Sequence, residues 1–297
     1  MNIFNNSSIF DVGIKEIPED CEVVFVSDFF VGDLQHNGGA ELTSEALIKS
    51  SPYKVFKLHS KDVSIKNLES GQNKFWIFGN FAAMDLRLIP AIIQNMKYSV
   101  LEYDQKFCKY RSPEKHMHLE NLPKKDNWDC GCQNSNHGKL ISAFLRGSQT
   151  IYWMSELQME LYLNLFPVLN ETNNIVLSSV FDEETFSYIN QLRIENKKTE
   201  RKGWIVLGSD SWVKGFEQSK KYAEDNNLEY EIVWNLPYEE ILNKLSKAEG
   251  LIYLANGSDT CNRLSLESLM LGCKTVVNKN SQHVVEDWCK NLYILVD

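Results

Sequence analysis

No run in the 297 residues approaches the ~20 consecutive apolar residues that cross a bilayer, so no membrane-spanning helix is expected. The first twenty residues contain Asp11, Glu16, Glu19 and Asp20 and lack both a basic start and an apolar stretch of signal-peptide length. A cytoplasmic location is therefore expected. The seven cysteines are odd in number and scattered, which points to reduced thiols rather than a disulfide framework. Positive charge is in deficit: 31 Lys and Arg stand against 40 Asp and Glu, a net −9. Such a chain repels polyanions, which disfavours general nucleic-acid or anionic-membrane binding. A small basic cleft for one diphosphate remains compatible with that balance. Neither the G-x-G-x-x-G dinucleotide fingerprint nor a Walker A motif occurs, so NAD and P-loop readings lose their main support.

What the chain does have is alternation. Short β-like runs (22–27, 54–58, 75–78, 98–103, 150–154, 174–177) are interleaved with helical patterns such as 40–49 and 156–165. A second series begins at Gly203, with strands at 204–207, 230–234, 250–254 and 274–278 and helices around 215–226, 238–248 and 262–272. Ile241, Leu242, Leu245 and Ala248 supply an apolar face at helical spacing. Such alternation predicts α/β architecture with parallel sheets, and the length suits two domains, 1–170 and 171–297. Between Lys106 and Lys139 the pattern dissolves into a polar stretch, read as a long loop or excursion. It contains His116, His118, Cys130, Cys132 and His137, which are metal ligands by type. The Cys-x-Cys spacing is tighter than the usual C-x(2–4)-C of zinc sites, so no metal is expected and a loop near an acceptor site, or merely an irregular loop, is the preferred reading. Cys108 and Cys261 have no adjacent base to suggest nucleophilic catalysis.

Three segments at strand-to-helix junctions carry candidate chemistry, because unpaired N–H groups and the helix dipole favour anions there. The first, His36-Asn37-Gly38-Gly39-Ala40-Glu41, opens a helix with paired glycines that let the backbone approach a bulky anion. In the second, Gly208 to Gly215, Lys214 stands near a helix N-terminus, placed to meet a diphosphate. The third runs from Asn256 through Asp259, Thr260, Cys261, Asn262, Arg263 and Glu267 to Gly272. Glu267 lies inside an apolar helix, where a carboxylate is costly unless bonded. Along one helix the two carboxyls would stand about 12 Å apart, the reach from a sugar ring across a diphosphate to a ribose. The competing reading is that Glu267 surfaces or pairs with Arg263, its i−4 neighbour. His283 is read as a packed histidine beside a surface Glu286, and Glu102 and Asp104 as acceptor-side candidates.

The second half resembles the donor-binding domain of retaining GT-B glycosyltransferases. Their Glu-x(7)-Glu element, Gly turn and strand stand here as Asp259-x(7)-Glu267, Gly272 and Lys274-Thr275-Val276-Val277. Gly208 to Gly215 is similar to the family's Gly-Arg-x(4)-Lys-Gly segment, and Gly38-Gly39-Ala40-Glu41 resembles its N-terminal glycine loop. The 100–170 region is similar to glycosyltransferases of phages and marine bacteria, which implies a phage or bacterial source. The resemblance implies a GT-B fold and transfer of a hexosyl or pentosyl group from a nucleotide-sugar, with retention and without a cofactor. Glu267 would hold the ribose, Asp259 the transferred sugar, and the backbone of Thr260, Cys261, Asn262 and Arg263 would face the donor. Lys214 would neutralise the diphosphate, Gly38 and Gly39 would close over it, and Leu236 and Pro237 would pack the base. No D-x-D triplet occurs, so a metal-bridged diphosphate is not expected. Two departures stand out: Asp259 is shorter than the family's Glu, and Ser209 replaces its phosphate-binding Arg, a place Arg263 could fill. The acceptor (a saccharide, lipid-linked sugar, protein or modified base) is left open. Two alternatives remain at this point, an epimerase or phosphorylase of the same fold and a non-catalytic nucleotide binder.

Overall fold

The structure, a computed structural model, describes residues 15–34, 37–123, 129–260, 262–289 and 291–296. The first lobe is built on β1 (Val23–Ser27), β2 (Val55–His59), β3 (Phe75–Phe78), β4 (Lys97–Glu102), β5 (Thr150–Trp153) and β6 (Asn173–Val176). These pair in parallel in the order β2-β1-β3-β4-β5-β6. Around them lie α1 (Gly39–Lys49), α2 (Ile65–Ser70), α3 (Ile89–Asn95), α4 (Pro113–Leu119), α5 (Asn136–Arg146) and α6 (Glu156–Leu165). All five residues of β1 are buried, as a strand covered on both faces requires. Beneath the sheet Tyr98 stacks on Phe144 at 5.0 Å, and its hydroxyl donates to the Phe144 carbonyl at 2.6 Å.

The second lobe holds β7 (Trp204–Leu207), β8 (Tyr230–Val233), β9 (Gly250–Tyr253), β10 (Lys274–Val277) and β11 (Ile294–Leu295), parallel in the order β11-β10-β9-β7-β8. Its helices are α7 (Glu183–Glu195), α8 (Phe216–Asp225), α9 (Tyr238–Lys247) and α10 (Arg263–Met270). Leu242 and Leu245 of α9 pack with Leu251, Tyr253 and Val277, the apolar face anticipated from spacing. Among the described residues no helix is long and apolar enough to cross a membrane.

β6 belongs to the first sheet and Ile189 and Leu192 of α7 pack in the second core, so the crossover runs through 177–182, a few residues after position 170. Two features of the first lobe depart from the sequence expectation. The 106–139 excursion contains α4 and the start of α5, capped by Ser112 and Ser135, whose hydroxyls accept from Lys115 and Gly138 N–H. A side-chain cap followed by Pro113 is a helix start that the polar composition concealed. Glu102 does not face a cleft. It is fully buried, accepts from the Tyr162 hydroxyl at 2.9 Å and lies 3.5 Å from Lys106 Nζ, and burial raises its pKa.

The lobes touch through polar contacts. Thr260 Oγ1 donates to the Tyr103 carbonyl at 2.7 Å, and Ser155 Oγ to Gln282 Oε1 at 3.0 Å. Glu286, expected at the surface, is buried and accepts the Glu156 N–H at 3.0 Å, because the segment after β10 returns to the first lobe.

Candidate functional site

Lys214 is positioned by a turn that only glycine permits. After β7 the chain makes a single 3₁₀ turn, Trp212–Lys214, and reaches Gly215 in the left-handed region at φ +61°. A Cβ there would stand 1.8 Å from the Leu254 carbonyl oxygen, so the backbone lies directly on the end of β9 and starts α8 at that point. Lys214 thus sits one residue before a helix N-terminus, as expected. Its ammonium lies 2.9 Å from Asp259 Oδ2 and 5.8 Å from the centre of the Tyr253 ring.

Asp259 is buried and its backbone is fixed by the loop after β10. Its N–H donates to the Asn280 carbonyl at 2.8 Å, and its carbonyl accepts from Gln282 at 2.9 Å. The carboxylate also accepts from the Tyr253 hydroxyl. Burial pushes the carboxyl up, but the Lys214 charge and the two hydrogen bonds outweigh it and hold Asp259 below the usual range. His283, buried nearby, bonds Ser265 Oγ at 3.1 Å and Tyr293 OH at 3.0 Å, and burial lowers its pKa to about 4. It is a packed neutral histidine, as read.

Glu267 points inward. It is 2% exposed, accepts from the Tyr238 hydroxyl at 2.5 Å and pairs with Arg263 Nε at 2.8 Å. Burial, opposed by Arg263 and Tyr238, pushes its pKa up to about 7. Arg263 also donates to the Val180 carbonyl and lies 3.9 Å over the Phe181 ring, so the crossover segment holds it. The i−4 salt bridge weighed against a ligand role is therefore present, but inside the protein rather than at its surface. Arg263 is committed to Glu267 and the crossover.

The glycine turn meets this group from the other lobe. A Cβ on Gly39 would stand 3.3 Å from Arg263 Cβ, an approach that a larger residue would obstruct. The Gly38 N–H donates to Glu41 Oε2 at 2.9 Å, so Glu41 occupies the place an anion would take. Asp259 and Glu267 do not share a helix: α10 begins at Arg263, so the 12 Å reckoning along one axis does not apply.

The remaining expected residues are dispersed around this centre. Ser209 is half-buried in the β7–α8 turn and accepts the Ser211 N–H at 3.1 Å. Leu236 and Pro237 lie between β8 and α9, with Pro237 exposed and next to Tyr238, which ties this loop to Glu267. Asn262 caps α10 by accepting the Ser265 N–H at 3.1 Å, and Thr260 spends its hydroxyl on the other lobe. Cys261 and His36 lie outside the described residues.

Four contributors were not singled out from the sequence. Tyr238 and Tyr253 supply hydroxyls to the two carboxylates, and Ser258 donates to Glu114 on α4 across the lobe boundary. Only Ser112-Pro113, a helix start beside an acidic residue, hinted at Glu114. A hollow of about 390 Å³ lies between Glu114, Met117 and His118 of the first lobe and Trp212 and Asn256 of the second. His118 stacks on Trp212 at 5.2 Å. A larger hollow of about 660 Å³ on the first sheet, lined by Phe25, Ile77, Leu101 and Tyr152, is apolar, and neither Asp259 nor Glu267 lines it.

No family model and no curated protein matches the sequence. Solved structures match the fold. A UDP-forming α,α-trehalose-phosphate synthase from Burkholderia xenovorans aligns over 93% of this chain and 88% of its own, with 7% identity and a TM-score of 0.54. Anabaena HepE in complex with UDP-glucose aligns over 93% and 85%, with 11% identity and a TM-score of 0.53. HepE in complex with UDP and glucose aligns over 90% and 83%, with 10% identity and a TM-score of 0.52. At such identities the likeness establishes architecture: two parallel-sheet lobes in the GT-B arrangement, as the sequence predicted.

Proposed function

We propose that the protein is a glycosyltransferase that moves a sugar from a nucleoside-diphosphate sugar to an acceptor. The observation that carries this reading is the Lys214–Asp259 ion pair, 2.9 Å long, with Lys214 two residues before α8. Bond cleavage at the anomeric carbon sends its electron pair to a diphosphate oxygen and leaves positive charge on the sugar ring. A fixed ammonium and the N–H donors of a helix start stabilise the departing charge. On donor binding the diphosphate takes Lys214, which frees Asp259 to accept from sugar hydroxyls, while Glu267 and Tyr238 take the ribose. The ligands named in the HepE structures, UDP with glucose in one and UDP-glucose in the other, support a nucleotide-sugar as ligand.

In this reading protein groups hold the diphosphate, so added Mg²⁺ or Mn²⁺ leaves the rate unchanged. The configuration at the anomeric carbon is retained, which NMR of the fresh product checks. A thermal-shift screen of nucleoside diphosphates and their sugars tests the reading, since a cognate ligand at ~100 times its dissociation constant stabilises by ~2.7 kcal/mol. No shift with any of them would reject it.

A second reading, nucleotide binding without transfer, draws on Ser209 and on the commitment of Arg263 to Glu267 and Val180. Binding without hydrolysis or transfer across donors and acceptors would favour it.

A further inference from the structure

The 106–139 excursion brings together four side chains that the proposed chemistry leaves unused. Cys108 follows β4, His116 lies on α4, and Cys130 and Cys132 flank Gly131 ahead of α5. Their ligand atoms all lie within 4.8 Å of one another, and all four residues are buried. Cys108 Sγ and Cys132 Sγ stand 3.6 and 3.3 Å from His116 Nδ1. A tetrahedral ion with zinc–sulfur bonds of ~2.3 Å and zinc–nitrogen bonds of ~2.0 Å sets sulfur and nitrogen about 3.5 Å apart. The spacing therefore matches a single ion.

The surroundings are those of a metal site too. His116 Nε2 lies 3.3 Å from Glu120 Oε2, which keeps a proton on Nε2 and turns the Nδ1 lone pair toward the sulfurs. Glu120 is itself held by Lys109 and by the Tyr110 hydroxyl at 3.1 Å. The tight Cys-x-Cys spacing, the reason for expecting no metal, is accommodated by Gly131 at φ +77°. A left-handed residue between them turns both sulfurs toward the same point.

We propose that Cys108, His116, Cys130 and Cys132 bind one zinc ion in a closed Cys₃His site. Four protein ligands leave no open position, so the ion is structural. It braces α4, whose Glu114 accepts from Ser258 and whose His118 stacks on Trp212, and so fixes the first-lobe wall of the cleft. The ion stands apart from Lys214 and Asp259 and takes no part in holding a diphosphate.

The test is elemental analysis of the full chain, purified without metal-chelating resin from zinc-supplemented cells. The expected result is one zinc per chain, retained in Cys21→Ala and lost in Cys132→Ser. If Cys132→Ser does not fold, exchange of the wild-type protein into cobalt(II) decides, with thiolate charge-transfer and tetrahedral d–d absorption expected. Substoichiometric metal with no such cobalt spectrum, or a disulfide among Cys108, Cys130 and Cys132 in freshly isolated protein, overturns the proposal. These readouts need no transferase activity, so they stand whether or not the proposed function holds.

Discussion

Lys214 and Asp259 neutralise each other across 2.9 Å, joining segments 45 residues apart at the ends of two neighbouring strands. The cation is therefore not idle before a ligand arrives. In the proposed function, an incoming diphosphate would have to outcompete a buried carboxylate that also keeps the Tyr253 hydroxyl. That exchange is how one pair can serve both halves of a sugar-diphosphate.

Lys214→Ala is expected to lower kcat/KM by about 10²–10³, the usual loss when one donor to a developing oxyanion is removed. Lys214→Arg should restore part of it. The fold should survive with a loss of about 1–3 kcal/mol, because Asp259 stays buried with Tyr253 as its remaining partner. Transfer rates equal to wild type would remove Lys214 from the reaction.

Glu267 gives a pH signature. Its pKa rises from 4.5 to about 7 in the fold, so between those values the native state binds more protons than the unfolded one. Stability contributed by this group therefore falls as pH rises from 4.5 to 7. His283 works the other way: its pKa drops from 6.5 to about 4, so stability is lost as pH falls through that window. The two must be separated by difference. Relative to wild type, Glu267→Gln should gain stability steadily from pH 4.5 to 7, read as Tm at each pH. A constant difference would mean that the fold does not raise the pKa of Glu267.

Glu114 and Ser258 link the lobes, and a double-mutant cycle measures the link. Glu114→Ala and Ser258→Ala should together cost less than the sum of their separate effects, with a coupling of about 1.5–3 kcal/mol for a charge-assisted hydrogen bond. Additive losses in chemical denaturation would show that the contact is not made in solution.

Gly215→Ala should be the most damaging glycine change near the site. Left-handed backbone costs a residue with a side chain about 1–2 kcal/mol. The new Cβ would also meet the Leu254 carbonyl oxygen at 1.8 Å, adding about 1–3 kcal/mol of overpacking. Gly203 is the control: its φ is +68°, but an added Cβ finds nothing nearer than 3.6 Å. Equal Tm losses in the two alanine variants would contradict this account of how Lys214 is placed.

Strands β1 to β10 were legible because most are short apolar runs bounded by turn residues, and β3, β7 and α6 fall on the expected residues, whereas the two-residue β11 was not anticipated. The sheet order was not, since parallel pairing is set by crossovers that composition does not encode. Inward placement of Glu267 followed from its apolar helix. Its partner Tyr238 lies 29 residues away in sequence, and Phe181, whose ring lies under the neighbouring Arg263, is farther still, so nothing local announced them. The 106–139 segment was read as loop because α4 is short and its buried face is made of His116, Met117 and Glu114, not an aliphatic stripe. Cys108 went unrecognised as a candidate ligand since most of that excursion separates it from Cys130 and Cys132.

Calorimetric titration of UDP, GDP and ADP into wild type and Lys214→Ala tests the central claim most directly. The account predicts that one nucleotide binds wild type at a single site and binds the variant at least tenfold more weakly, the effect of losing about 1.4 kcal/mol or more. Equal affinity for both proteins, or heat from none of the three, would contradict it.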